Sequence, residues 1–198
     1  MPGIIDNDIY GMDYTIGFDT AVNNVVDAIN KVRDTATSHE RTFIIEVMGR
    51  NCGAIALMAG LAGGAESIII PEVPFDIDEI CEKLMRGVRR GKLHSMIIVA
   101  EGAVSGMEIG EKIKEITGAD TKVTILGHIQ RGGAPTAFDR ILAARLGAKA
   151  VDLLMNGETG KAVGIKKEEI VGYDLQEIFK NEKQINLEVL ELANILSI

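Results

Sequence analysis

The chain has few cysteines, few aromatic residues and no long hydrophobic run, and each shortage excludes a class of protein. Only two of its 198 residues are cysteines, Cys52 and Cys81, and they show neither metal-ligand spacing nor a secretory context. No apolar run approaches the roughly 18 residues of a membrane span, and no signal-peptide pattern is present. We therefore predict a protein of the reducing cytoplasm that does not enter a membrane.

Positive charge is missing from the first 30 residues, which contain five aspartates and no lysine or arginine. Two of these acids, Asp6 and Asp8, lie in the turn-forming stretch Pro2 to Asp8. The lysines and arginines that a phosphorylated substrate would need occur later in the sequence. A site for such a substrate would therefore be assembled from distant segments. A net charge of −8 disfavours binding to nucleic acid or an anionic membrane, and small anions are the expected partners.

The apolar pattern alternates between short β-branched runs and longer helical periods, which predicts an α/β fold. The predicted strands are 42–47, 67–70, 95–100 and 123–126, with a later strand pair at 161–166 and 169–172. Helices are predicted at 53–61, from the Asp76 cap to Gly91, at 135–155, and at 175–181 and 187–196. The apolar face of the 135–155 helix is expected to consist of Ile141, Leu142, Leu146, Ala150 and Leu153. At 46% hydrophobic residues, this length allows one large or two small domains.

Polar residues follow three of the predicted strands, where open α/β sheets bind their ligands. Met48-Gly49-Arg50 follows the first strand, Glu101-Gly102 the third, and Gly127 to Gly133 the fourth. Together they would clamp a sugar phosphate. Taken singly, each has an equally good structural explanation, since arginines after strands are commonly salt-bridged and glycine pairs make turns. Glu46, inside an apolar strand, is as readily a buried structural carboxylate as a functional one.

A second group of cations surrounds the end of the Asp76-capped helix. Its members are Arg86, Arg89, Arg90, Lys92 and His94. Helix C-termini favour bases through the helix macrodipole, so a solvated basic turn explains them. The alternative is a separate anion site, to which Arg33 would contribute, with Glu66 holding a divalent cation that bridges phosphates.

Several long motifs follow one another along the chain: Pro2 to Asp8, Tyr14 to Ala21, Arg33 to Arg41, Glu46 to Arg50, Ala62 to Glu66, Ile98 to Gly102 and Leu126 to Gly133. In this order they resemble the bacterial ATP-dependent 6-phosphofructokinase family. The resemblance covers essentially the whole chain. It implies a three-layer, Rossmann-like two-domain fold and transfer of the ATP γ-phosphoryl group to the 1-hydroxyl of fructose 6-phosphate in glycolysis.

The resemblance also implies roles for individual residues. Asp6 would be the general base, Asp8 would support it and an active-site Mg²⁺, and Arg50 would lie close to the transferring group. The sugar phosphate would be bound by Ile4, Ile5, Asp6, Arg41, Met48, Gly49, Arg50, Glu101, Lys122, His128, Ile129, Gln130 and Arg131. Of these, Arg41 and Lys122 would reach the substrate phosphate of a neighbouring subunit in a homotetramer.

An allosteric nucleotide site is implied as well, at which ADP activates and phosphoenolpyruvate inhibits. Its residues would be Arg33, Gly64, Ala65, Glu66, Arg90, Lys92, Leu93 and His94, with Glu66 near an effector-site Mg²⁺. The second cationic group thereby acquires a function.

The chain departs from the family pattern at a few positions and in length. Ile4 stands where the family has threonine, Lys122 where it has arginine, and Ala134 where it has serine; Asn51 and Cys52 are also unusual. The family normally has about 120 further residues before the Pro-Gly motif, which hold the glycine-rich ATP loop. We expect a C-terminal three-fifths of a phosphofructokinase, truncated at the N-terminus, with residues 18–129 and 181–198 forming the substrate and effector domain. Residues 1–17 and 130–180 would be the remnant of the ATP domain.

Two other readings stay open. One is a pyrophosphate-dependent phosphofructokinase, although Gly3 argues against it because those relatives usually carry lysine there. The other is a noncatalytic module that binds a sugar phosphate or a nucleotide. Dependence on ATP separates the first from the main prediction, and binding without turnover identifies the second.

Overall fold

Four short aliphatic runs form one parallel sheet. The computed structural model describes residues 1–36, 41–92 and 94–197, and within them the sheet consists of β1 (Arg41–Val47), β2 (Ser67–Ile69), β3 (His94–Ala100) and β4 (Thr121–Ile125). The strand order is β2-β3-β1-β4, and every neighbouring pair is parallel. β3 is buried from Ser95 to Ala100, as expected for a strand that is covered on both faces.

Helices cover both faces of this sheet. They are α1 (Phe18–Ala36), α2 (Ala54–Ala62), α3 (Ile77–Arg89) and α4 (Gly106–Thr117). Alternate residues of β1 point to opposite faces: Ile45 packs into a core with α1 and α2, whereas Ile44 packs into a core with α3 and α4. The predicted α/β class and its three layers are confirmed.

The remaining elements have small cores of their own. α5 (Ala137–Met155) packs on an antiparallel hairpin of β5 (Lys161–Lys166) and β6 (Glu169–Asp174), and α6 (Leu175–Lys180) follows. Leu142, Leu146 and Val163 lie in one of these cores. Met12 and Ile178 lie in the other. α7 (Glu188–Leu196) returns to pack on α2. No helix in the described part of the chain is long and apolar enough to span a membrane.

The sequence predicted the strands and the capped helices but missed α1 and α4. Asp76 caps α3 as expected by accepting a hydrogen bond from the Asp78 backbone N–H. The pattern of α4 is weakened by Gly106 and Gly110, which sit where the helix approaches the sheet; a Cβ on Gly110 would lie 2.9 Å from Val123. The placement of Ile141 on the apolar face of α5 was wrong, since its side chain is 59% exposed.

The starts of α1 and α5 are joined by one buried carboxylate. Asp139 is 2% exposed. Its oxygens accept hydrogen bonds from the Gly17 N–H (2.8 Å), the Thr20 N–H (2.9 Å) and the Thr20 hydroxyl (2.5 Å). The Thr136 hydroxyl, which caps α5, donates to Asp19 at 2.6 Å. Negative charge is favoured at both helix N-termini. The hydrogen bonds of Asp139 and Thr136, called the junction below, therefore connect the start of α5 to the start of α1.

We expect Asp139→Asn to lower the free energy of unfolding by about 2 to 3 kcal/mol, because the new amide would present N–H groups to backbone donors. Urea denaturation measures the change. The matched control is Asp27→Asn, which breaks an exposed pair with Lys31 and should cost less than about 0.5 kcal/mol. Equal effects of the two substitutions would contradict the role of the junction.

Candidate active site

The carboxyl ends of β1, β3 and β4 meet because the three strands are adjacent and parallel. The Glu101 carboxylate, just after β3, accepts hydrogen bonds from the backbone N–H groups of Gly49 (3.3 Å) and Arg50 (3.0 Å), just after β1. The side-chain oxygen of Gln130, after β4, accepts from the Met48 N–H at 3.2 Å. The three predicted segments therefore form one site, in which Glu101 and Gln130 hold the Met-Gly-Arg turn.

Glycines permit the close approach of these segments. A Cβ on Gly102 would lie 1.6 Å from the Arg50 carbonyl oxygen, and one on Gly49 would lie 2.2 Å from the Cys52 carbonyl oxygen. Gly49 has a φ of 143° and Arg50 a φ of 51°. A left-handed conformation is uncommon for arginine, and it is held here by the hydrogen bond from Arg50 to Glu101.

The loop that carries the first two acids is fixed internally. Asn7 accepts a hydrogen bond from the Thr15 N–H at 3.0 Å and donates one to the Asp13 carbonyl at 3.1 Å. The Thr15 hydroxyl donates to the Ile4 carbonyl at 2.5 Å. Within this loop Asp6 is 3% exposed, whereas Asp8 is exposed.

The charges around Asp6 identify the members of the site. Burial raises the pKa of Asp6, and the neighbouring Asp8 carboxylate raises it further, with a smaller contribution from Glu101. The guanidinium groups of Arg50 and Arg131 oppose this rise in the pKa. A buried carboxylate with a raised pKa, facing arginines, is suited to accept a proton from a hydroxyl group beside a phosphate.

The other predicted substrate-binding residues differ in how exposed their side chains are. His128, Ile129 and Arg131 are exposed on a short 3₁₀ helix, Gly127–Arg131. Gln130 is buried, so its side chain positions backbone rather than facing a ligand. Ile5 packs against the core of α1 and α2, and Ile4 is half-buried.

Arg41 and Lys122 do not join this site. They lie at the opposite ends of β1 and β4, about 20 Å away for seven residues of extended strand. Both pair with Asp120, each at 2.9 Å. The hydrogen bond from Lys122, followed by that from Arg41, lowers the pKa of Asp120.

The predicted effector residues lie near the other end of the sheet. The Lys92 ammonium pairs with Glu66 at 2.6 Å, and the second oxygen of Glu66 accepts from the Met96 N–H. The Arg33 guanidinium donates to the Gly63 carbonyl. Gly64 is left-handed, with a φ of 65°. The neighbouring Ala65 is buried.

A cleft of about 950 Å³ opens beside the Lys92–Glu66 pair. Its charged lining residues are Glu66, Asp76, Glu79, Lys83, Arg86, Arg90 and Lys92. His94 instead lines a smaller pocket of about 320 Å³ that it shares with Arg41 and Arg89. Leu93, residues 37–40 of the predicted Arg33 to Arg41 motif, and residue 198 of the predicted domain lie outside the described residues.

Sequence reasoning missed three polar residues at these sites. Asn7 had a local signal, since it separates Asp6 from Asp8 and asparagine tolerates the left-handed conformation that it adopts here, with φ 56°. Lys183, in the segment before α7, reaches the loop of residues 6–15 that carries Asp6, Asp8 and Asp13, called the acidic loop below. Its ammonium donates to the Asp13 carbonyl at 3.2 Å. Lys83 lines the large cleft and contacts Asn194 at 3.4 Å. No spacing rule points to either lysine.

Substituting Gly102 should damage the site through backbone contact alone. We expect Gly102→Ala to lower the free energy of unfolding by at least about 2 kcal/mol, because the Arg50 carbonyl must move to admit the methyl group. Gly147→Ala in α5 is the control: its Cβ would meet nothing within 4 Å, so it should be neutral or stabilise by up to about 1 kcal/mol. Urea denaturation compares both variants, and an unchanged Gly102→Ala variant would refute the packing argument.

The chain is similar to known proteins. The family model "Phosphofructokinase" matches residues 1–154. Proteins named ATP-dependent 6-phosphofructokinase from Halalkalibacterium halodurans and Alkaliphilus metalliredigens are 60% and 61% identical to this chain over 198 residues. All of this chain is matched, but the chain spans only 62% of either relative's length.

Solved structures show the same likeness. Phosphofructokinase from Saccharomyces cerevisiae superimposes with a TM-score of 0.86 at 36% identity, over 98% of this chain and 26% of that one. A pyrophosphate-dependent phosphofructokinase from Marinobacter aquaeolei gives a TM-score of 0.82 at 25% identity, over 94% of this chain and 53% of that one. On the family match, the relatives and the fold, the chain belongs to the phosphofructokinase family.

Proposed function

We propose that this chain carries the sugar-phosphate and catalytic part of an ATP-dependent 6-phosphofructokinase. The reaction transfers the γ-phosphoryl group of ATP to the 1-hydroxyl of fructose 6-phosphate, giving fructose 1,6-bisphosphate and ADP. The observation that carries the proposal is the buried Asp6 carboxylate facing Arg50 and Arg131 where three strand ends meet. The relatives that are about 60% identical support ATP as the phosphoryl donor through their names.

In this proposal the side chains act mainly by position and charge. Asp6 takes the proton of the sugar 1-hydroxyl as that oxygen attacks phosphorus, and its raised pKa suits it to hold that proton. Arg50 and Arg131 offset the negative charge of the phosphoryl groups. Glu101 keeps the Met-Gly-Arg turn against the sugar, while His128 and Arg131, both exposed, are available to the 6-phosphate.

Among the positions at which the chain departs from the family pattern, Ile4, in place of threonine, has the clearest chemical consequence. Its half-buried apolar side chain offers no hydroxyl to the phosphoryl group, and one lost transition-state hydrogen bond costs about ten- to a thousandfold in rate. We therefore infer a slower phosphoryl transfer than in relatives that carry threonine.

Magnesium fits one of the two predicted positions. Nucleotide-bound Mg²⁺ needs only one or two protein carboxylates, and the exposed Asp8 beside Asp6 is suitable. Mg²⁺ bound there would neutralise phosphate charge. Glu66 fits less well, because its two oxygens already accept from Lys92 and the Met96 N–H. Among the described residues no three His, Cys, Asp or Glu side chains form a metal-binding group.

The remaining parts of the proposal concern regulation and assembly. The cleft beside Lys92 would bind ADP or phosphoenolpyruvate as effectors, which its four cationic residues support. Arg41 and Lys122, far from Asp6, would serve the site of a neighbouring subunit in a homotetramer.

The division into a domain of residues 18–129 and 181–198 and a remnant of residues 1–17 and 130–180 is supported by the separate apolar cores. The location would be cytoplasmic.

The pyrophosphate-dependent alternative is less well supported. Two solved structures of pyrophosphate-dependent phosphofructokinases are 25% and 22% identical to this chain, against 60% and 61% for two relatives named ATP-dependent. An assay with ATP and with pyrophosphate as donors in parallel separates the two activities.

The decisive test compares the chain with its Asp6→Asn variant. Calorimetric titration with fructose 6-phosphate measures binding, and a coupled assay measures ADP release from ATP and Mg²⁺. We expect the sugar phosphate to bind, and any turnover to fall by about a hundred- to ten-thousandfold in the variant. Binding without turnover would favour the noncatalytic module. Absence of both in a folded sample would refute the proposal.

The same substitution should stabilise the fold at neutral pH. The pKa of Asp6 is raised in the folded state, so ionising Asp6 opposes folding as the pH rises through its range. We expect Asp6→Asn to raise the midpoint of thermal unfolding at pH 7. The gain should shrink as the pH falls below the raised pKa, and it should vanish below the ordinary value. Asp27→Asn, at an exposed position, is the control and should change the midpoint at pH 7 far less than Asp6→Asn does.

The effector proposal is tested with two adjacent arginines. Arg90 lines the large cleft, whereas Arg89 lines the smaller pocket. We expect Arg90→Met to weaken ADP binding by about tenfold, the effect of losing one charged contact to a phosphate, and Arg89→Met to change it by less than about twofold. Titration calorimetry with Mg·ADP measures both. Equal affinities in the two variants would place the nucleotide elsewhere.

A further inference from the structure

The acidic loop is held at one backbone oxygen by two side chains, one from the loop itself and one from a distant part of the chain. The Asp13 carbonyl accepts hydrogen bonds from the Asn7 amide at 3.1 Å and from the Lys183 ammonium at 3.2 Å. The oxygen of the same Asn7 side chain accepts from the Thr15 N–H at 3.0 Å. A single buried amide therefore ties residue 7 to residues 13 and 15.

The conformation of Asn7 connects this tie to the catalytic acids. Asn7 is 7% exposed and left-handed, with a φ of 56°. Its side chain points inward to bind backbone, and its chain neighbours are Asp6 and Asp8. Because only one residue separates the two carboxylates, holding Asn7 sets the backbone position of both.

Asp13 is itself anchored. Its N–H donates to the Ile165 carbonyl at 2.8 Å, and its carboxylate accepts from the Lys167 N–H at 2.6 Å. Both partners belong to the hairpin of β5 and β6. The Asp13 carbonyl is therefore a fixed point, against which Asn7 and Lys183 can hold the loop.

Lys183 brings a positive charge to this fixed point from the segment between α6 and α7. Burial lowers the pKa of its ammonium, while Cys52, Asp13 and Asp8 act in the opposite direction. A half-buried cation is costly unless it is compensated. The compensation here comes from Cys52 and from the carboxylates of Asp13 and Asp8, together with the hydrogen bond to the Asp13 carbonyl.

We propose that Asn7 and Lys183 are positioning residues that hold the Asp6–Asp8 loop through the Asp13 carbonyl. Their importance for catalysis rests on the proposed function, but their control of the loop does not. The segment between α6 and α7 thereby becomes part of the active-site support.

The test uses Asn7→Gly, Lys183→Met and Lys183→Arg in the full chain. Glycine adopts the φ of Asn7 without strain, so Asn7→Gly removes the side-chain hydrogen bonds without straining the backbone. We expect amide exchange at Thr15, relative to the core amide of Ile98, to rise by at least about tenfold in Asn7→Gly, the equivalent of losing one hydrogen bond. Lys183→Met should raise it in the same way, and Lys183→Arg should restore protection.

A second readout follows Asp6 and Asp8 themselves. NMR relaxation of the Asp6 and Asp8 backbone amides should show greater mobility in Asn7→Gly and in Lys183→Met, and in Lys183→Arg it should return to that of the unsubstituted chain. A residue that only supports the fold would lower global stability and leave both the Thr15-to-Ile98 ratio and the mobility of these two amides unchanged. That result would overturn the proposal, as would equal Thr15 exchange in Lys183→Met and in the exposed control Lys180→Met.

Binding of fructose 6-phosphate to the unsubstituted chain separates this inference from the proposed function. If the sugar phosphate fails to bind but Thr15 responds as expected, the proposed function fails and the positioning of the loop stands. If it binds and Thr15 does not respond, the positioning inference fails alone. Should Lys183→Met not fold, Asn7→Gly still decides the outcome.

Discussion

The central strand β1 is hydrogen-bonded to β3 along one edge and to β4 along the other, with Val47 level with Ala100 and Glu46 level with Ile125. This register brings together the three segments that follow β1, β3 and β4. The carboxylate of Glu101 can then accept two N–H groups of the Met-Gly-Arg turn, and Gln130 can accept a third. A slip of one residue would reverse the direction of the side chains of β1. The register of a short parallel sheet therefore underlies both the core and the site.

The candidate site contains several features that are locally unfavourable to folding. Asp6 is a carboxylate in a poorly solvated position beside another carboxylate, and two residues, Asn7 and Arg50, are left-handed without being glycine. Such features persist only when surrounding contacts hold them. Here the contacts are few and identifiable: the Asn7 amide, the Glu101 carboxylate and the absence of a side chain at Gly102.

How far the sequence could predict this arrangement depends on the range of the interaction. Apolar runs and glycines gave the strands and their ends, and the rule for open α/β sheets then indicated Arg50, Glu101 and Arg131 as neighbours. The long-range partners could not be read in this way, because Asp139 and Lys183 bind backbone groups more than a hundred residues away. Ile141 was misplaced for a related reason, since helical periodicity locates a face but not its edges. Arg41 and Lys122, expected to serve a neighbouring subunit, lie far from Asp6 beside Asp120, and the motifs alone do not reveal that ion pairing.

Hydrogen bonds of the Asp139 carboxylate and of Thr136 attach the start of α5 to the start of α1 within one small cluster. Contacts that converge on one small cluster resist separation and sliding far more than they resist rotation. A relative motion of the two helices would therefore take the form of a swivel about that cluster. Gly17, with its φ of 102°, stands at the pivot, where its backbone can absorb the turn.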